Sequence, residues 1–274
     1  MRGCPSALPP LLLVILALLL PGPAPAGEGS VFGEVGVEVS EGDFGTGTEL
    51  STAAVAATVG YRAERWELSA TVPFVSVSSR GVVVFTGAGP APVPGAVPTS
   101  GPAVPVVSGG SGADRASGLG DATVRGAFLL LAGTERRPSV APWVAVKLPT
   151  GDEEEGLGSG ETDVGVGSVV SASWGRLFGS VDAGYTFVGE PEGLDFDDVV
   201  STLLTVGYRP VEAVGTYGVL DYRTAVVDGT EDPVVAGAGV AYTGGGFGLK
   251  GEVRIGLTDS APDVAGSVSL SYRF

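Results

Sequence analysis

The chain has 274 residues, 44% of them hydrophobic and 17% charged, with 15 basic residues, 31 acidic residues, one cysteine and no histidine. The acidic balance argues against nucleic acid as a partner, because a phosphate backbone is met by Lys and Arg. The lack of histidine removes the Ser-His-acid and Asp-His hydrolases, and with so little cysteine it leaves no ordinary transition-metal site, so neither an enzyme nor a cofactor is expected.

Arg2, the unbroken apolar run over residues 11–20 and the small-residue pattern Ala24-Pro25-Ala26 read as a secretory signal over residues 1–26. Cys4 precedes the apolar run and is expected to leave with the signal. Removal of Arg2 leaves a net charge of about −17 on residues 27–274. No later apolar run is long enough for a transmembrane helix, so apolar residues that meet lipid must do so in alternation.

Alternation is what the rest of the chain shows. In the first segment Val31, Gly33, Val35, Val37 and Val39 fall on one face, and Glu34, Glu38 and Ser40 on the other. Further on, Trp66, Leu68, Ala70, Val72 and Phe74 alternate with Glu67, Ser69 and Thr71, and Phe247, Leu249, Val253, Ile255 and Leu257 with Lys250, Glu252 and Arg254. Gly, Pro and acidic punctuation divides the chain into strands near 30–40, 50–62, 65–78, 118–132, 138–148, 161–173, 176–188, 197–209, 212–225, 232–242, 246–257 and 263–274. Short connections at Ala63-Glu64, 133–137, Trp174-Gly175, Pro210-Val211 and 243–245 alternate with longer ones.

An even set of about 12 strands with alternating loop lengths predicts an all-β, antiparallel transmembrane β-barrel of the bacterial outer membrane. A secreted β-sandwich also has short alternating strands, but it explains neither the loop pattern nor a last strand that runs to the final residue. Both termini fall on the short-turn side, the periplasmic one, and the long loops are extracellular. The aromatic end Tyr272 and Phe274 resembles the signal that the barrel assembly machinery recognises. The long loops hold acids, among them Glu41, Asp43, Asp195, Asp197, Asp198 and the run over 152–155, suited to weak divalent-cation binding or simply to solvation. The run over 152–155 does not reproduce a calcium-loop pattern, and the nearby "GLGSGETDVGVG" lacks the context of a phosphate loop.

By alternation the lumen should receive Glu34, Glu38, Arg62, Glu67, Arg125, Lys147, Asp182, Asp221, Arg223, Lys250, Glu252, Arg254 and Arg273. Such charges either line a narrow, partly obstructed channel or pair across a closed cylinder. The Pro-, Gly- and Val-rich loop over 79–117 reads as an apolar constriction or as a surface flap, and its "GVVVF" could extend the third strand.

At "KLPTGD" and the following "GSGETDVGVG" the chain resembles the outer-membrane transporter family labelled "meta-pathway of phenol degradation". Lys147, Pro149, Thr150, Gly151, Asp152, Gly158, Gly160 and Asp163 occupy the places of its motif. The resemblance implies passage of small compounds, aromatic or otherwise hydrophobic, across the outer membrane, with membrane lipid and a small-molecule solute as partners. The residues alone leave a rival open, a structural or surface-interaction barrel with a closed lumen.

Overall fold

The computed structural model describes residues 29–44, 49–78, 82–86, 104–108, 116–191, 195–227 and 229–274. The expected signal, residues 1–26, and most of the 79–117 loop lie outside the described residues. The strands are β1 (Ser30–Gly42), β2 (Leu50–Arg62), β3 (Trp66–Ser78), β4 (Val82–Thr86), β5 (Val104–Ser108), β6 (Ala116–Leu119), β7 (Ala122–Phe128), β8 (Ser139–Leu148), β9 (Asp163–Trp174), β10 (Leu177–Phe187), β11 (Val199–Val211), β12 (Val214–Arg223), β13 (Val234–Gly244), β14 (Phe247–Gly256) and β15 (Val264–Arg273).

One antiparallel sheet runs β2-β1-β15 and back through β14 to β7 and β3, and a β2–β3 pairing closes it. β6 and β7 both pair with β3, β6 against Phe74–Val77 and β7 against Trp66–Thr71, so they are two halves of one barrel position. Counting them once and leaving out the separate β4–β5 pair, the closed barrel has 12 strand positions. The sequence predicts an unbroken strand over 118–132; instead it breaks at Gly120-Asp121, between β6 and β7. Within "GVVVF", Val82–Phe85 belong to β4, which pairs with Val104–Ser108 in its own two-stranded sheet.

Closure uses the last residue. β15 pairs with β1 from Phe32↔Arg273 to Glu41↔Val264, and the Phe274 amide donates to the Val31 carbonyl at 2.9 Å. Several hairpins turn later than their sequence suggests. The β9–β10 turn is Gly175-Arg176 and the β13–β14 turn is Gly245-Gly246. Positive φ at Gly175 alone (62°) suits a II′ turn, and positive φ at Gly245 (61°) and Gly246 (85°) a I′ turn. The β11–β12 turn moves to Glu212-Ala213, because a register irregularity between Tyr208 and Val211 absorbs Arg209 and Pro210 into β11.

The outer face is apolar: Val37, Val39, Leu68, Val144, Val206, Val253, Val268 and Leu270 are among its exposed side chains. Trp66, Phe128, Trp174, Tyr208, Tyr242 and Phe247 ring the short-turn end, and Tyr185, Phe187 and Tyr222 stand toward the long loops. Two of the latter share one device. Tyr185 donates to Asp198 Oδ2 at 2.6 Å while Asp198 Oδ1 accepts the Val188 amide at 3.0 Å; Tyr222 and Ala225 use Asp232 likewise, at 2.7 and 2.8 Å. Each loop aspartate thus pins the outgoing strand beneath it. No helix among the described residues is long and apolar enough to cross a membrane.

Candidate functional site: the inner face of the barrel

Alternation that turns valine and leucine outward turns the charges inward. Glu67, Arg125, Lys147, Asp182, Asp221, Arg223, Lys250, Glu252 and Arg254 are buried, Glu34, Glu38 and Arg62 half-buried, and Arg273 is exposed near the short-turn end. They gather on two walls. On one, Arg62 Nε meets Glu67 Oε2 at 2.5 Å, and Arg125 meets Asp182 at 3.4 Å while Trp143 Nε1 donates to Asp182 Oδ1 at 2.8 Å. On the other, Glu252 sits between Lys250, at 3.5 Å, and Arg254, and Arg223 pairs with Asp221 at 3.3 Å. Glu38 lies within the field of Arg254, Arg223 and Lys250, and Glu34 near Lys250.

Inner aromatic rings repeat a second pattern. Phe32 stands opposite Gly60, Trp143 opposite Gly167, Phe178 opposite Gly207 and Tyr217 opposite Gly239. A Cβ on any of these glycines would come within 2.2–2.4 Å of the ring or its hydroxyl, so each aromatic side chain lies across a bare stretch of the neighbouring strand. A cation covers each ring: Arg62 at 5.1 Å, Arg125 at 4.2 Å, Arg209 at 4.5 Å and Lys250 at 5.9 Å from the respective centroids. Glycine therefore holds the rings against the wall, and the rings hold the cations.

The third arrangement surrounds Lys147, the last inward residue of β8. Its Nζ lies 3.3 Å from Asp121 Oδ2, 2.9 Å from Asp163 Oδ2 and 2.5 Å from Ser159 Oγ. Both aspartates also accept backbone amides: Asp121 from Gly151 (2.9 Å) and Ser159 (3.2 Å), Asp163 from Gly189 (3.0 Å). Thr150 donates to the Gly120 carbonyl at 3.0 Å and accepts the Ala122 amide at 2.8 Å, stitching the β8–β9 loop onto the β6–β7 break. Pro149 leaves β8 without a ladder donor at its end. Gly151 and Gly158 are required by close approach, since a Cβ on Gly158 would fall 2.4 Å from Asp121 Oδ1 and one on Gly151 2.5 Å from the Leu157 carbonyl. Gly160 takes φ +71° beside Glu153. Asp152 Oδ1 accepts the Glu154 and Glu155 amides at 3.0 and 3.2 Å, which folds the acidic run into its own turn. Among the described residues no group of three or more metal-ligating side chains gathers.

Sequence reasoning missed Asp121, Ser159, Trp143, Phe178 and Tyr217 as members of these arrangements. The paired glycines opposite the rings were the available signal, visible only once register is known.

The family model described as "Putative MetA-pathway of phenol degradation" matches residues 30–274. Among solved structures the chain is similar to the COG4313 outer membrane channel from Pseudomonas putida F1, at 16% identity and TM-score 0.67 over 93% of this chain and 99% of that one. It is also similar to the NanC porin (9%, TM-score 0.56, over 88% and 100%) and to the transport unit of the autotransporter AIDA-I from Escherichia coli (10%, TM-score 0.52, 97% of each). At these identities the likeness is one of fold, the closed antiparallel barrel of outer-membrane proteins. No curated protein matches the sequence.

Proposed function

Because the chain belongs to the phenol-degradation MetA-pathway family, we propose that it is an outer-membrane channel for passive passage of small compounds, aromatic or otherwise hydrophobic. The observation that carries this reading is the contrast between the two faces of one closed sheet. The outside is an apolar belt for lipid, and the inside holds paired charges of both signs interleaved with aromatic rings. Such a wall offers a solute cations held on buried rings and carboxylates beside them, contacts that suit a small molecule carrying a polar group. The buried and half-buried charges of the inner face are the lumen-lining residues of this reading, and no bond-making step is assigned to any of them. The acidic long loops face outward from the cell, where they meet surface lipid and divalent cations, and the arginine-bearing short turns and both termini face the periplasm.

Single-channel recording of the purified protein in a planar bilayer, with uptake of small aromatic solutes into proteoliposomes, tests it. Discrete conductance and solute entry are expected. The depth of burial inside favours a second reading, since the Glu252 side chain is 0% exposed and those of Lys147 and Arg254 are each 3% exposed. In that reading the cylinder is closed and works through its acidic loops. Absence of conductance from a barrel shown to be folded by its heat-dependent migration would select it.

A further inference from the structure

The β8–β9 loop does not stand above the barrel. Leu157, at its centre and 1% exposed, belongs to one buried cluster with Phe44, Leu50, Val75 and Val77. Leu50, Val75 and Val77 are inward-facing residues of β2 and β3, in phase with the inner Arg62 and Glu67 of the same strands. From β8 the loop therefore crosses the neighbouring barrel position: a Cβ on Gly118 of β6 would come within 2.7 Å of Leu157 Cδ1, and Gly118 pairs with Val75 of β3. It does so at the long-loop mouth, where its other end is tied by the Lys147 carboxylate pair.

We propose that this loop is a gate, with Leu157 as its plug seated in an apolar niche of the wall and Lys147 as its latch. The proposal rests on the channel reading and adds its regulation. Two separate interactions keep the loop down. The niche gives Leu157 the apolar contacts that would otherwise face water. The latch gives the loop backbone fixed acceptors, because Asp121 holds the amides of Gly151 and Ser159 on either side of Leu157 while Lys147 balances its charge. The niche is built from aliphatic and aromatic carbon, so an apolar group entering the mouth competes with Leu157 for it. A solute that fits the niche thereby loosens the gate, whereas a strongly hydrated ion has nothing to offer in exchange.

The test uses Leu157→Cys as a reporter, followed by a water-soluble maleimide in proteoliposomes, and adds Lys147→Met or, should that variant fold poorly, Asp121→Asn. With the latch intact, labelling should be slow and conductance low; with the latch changed, labelling should rise at least tenfold and conductance severalfold. Labelling that is fast with the latch intact, or that stays equally slow in both latch variants, overturns the latch. Faster labelling with an unchanged, measurable conductance overturns the gate and leaves the channel standing. No conductance in any variant, whatever the labelling, refutes the channel reading and the gate with it.

Discussion

Gly167 and Gly251 show how differently the same residue type is used on the two faces of this sheet. A Cβ at Gly167 would meet Trp143 Cζ2 and the Ala183 carbonyl, both at 2.4 Å, whereas one at Gly251 meets nothing within 4 Å. Gly167→Val should therefore displace Trp143, and with it the Nε1 bond to Asp182 and the support of Arg125, at a cost of about 2 kcal/mol. Gly251→Ala should change stability by less than about 0.5 kcal/mol. Guanidinium unfolding in detergent micelles measures both, and equal midpoints would show that the ring does not depend on its glycine. The charges make a second case at this scale. Glu252 lies between Lys250 and Arg254, so Glu252→Gln takes one carboxylate charge from beside two buried cations. It should cost about 3 kcal/mol and move the reversal potential in a salt gradient toward anions. An unchanged potential would place Glu252 away from the permeation path.

Strands and turns were largely legible because period two reports which face is buried, and that signal needs no knowledge of partners. Turn positions were less so. Pro210-Val211 looks like a hairpin loop, yet both residues belong to β11, and β7 is followed by the bridges Leu131↔Val140 and Thr134↔Arg137 that prolong its hairpin past the predicted end. The motif around Lys147 could be seen as a string of unusual residues, but its meaning was long-range. Asp121 lies at the strand break opposite the motif, 30 residues before Gly151 and 38 before Ser159, and no local pattern marks it. Leu157, too, carries no local mark in the run "GLGSGETDVGVG". Thr150 tests the motif as an element, since one hydroxyl joins the Gly120 carbonyl to the Ala122 amide across the break. Thr150→Val removes both bonds while keeping the shape, and should cost about 1 kcal/mol because the Ala122 amide can turn to water. Thr150→Ser should restore most of it; if serine is no better than valine, the hydroxyl does not hold the break.

For the whole barrel the decisive seam is the one between the ends of the chain, because every other strand pair is joined by a hairpin, a loop or the β6–β7 break, and β1 with β15 only by their ladder. Its short-turn end finishes in an aromatic run: Phe247 lies 4.5 Å from Tyr272, and Tyr272 4.8 Å from Phe274 in an edge-on pair, centroid to centroid. The Phe274 amide adds the last bond to the seam, at Val31. Two roles for Phe274 separate cleanly. If it only seals the ladder, Phe274→Ala keeps the amide and should insert normally while lowering stability slightly, through the lost ring contact. If it is also read during assembly, as the sequence suggests, the same variant should accumulate outside the membrane in cells yet refold normally from denaturant into detergent. Comparing folded yield in the membrane with refolded yield in vitro separates the two. A deficit in cells alone assigns Phe274 to assembly, full yield in both with a lowered unfolding midpoint assigns it to closure, and full yield with an unchanged midpoint would show that the ring serves neither.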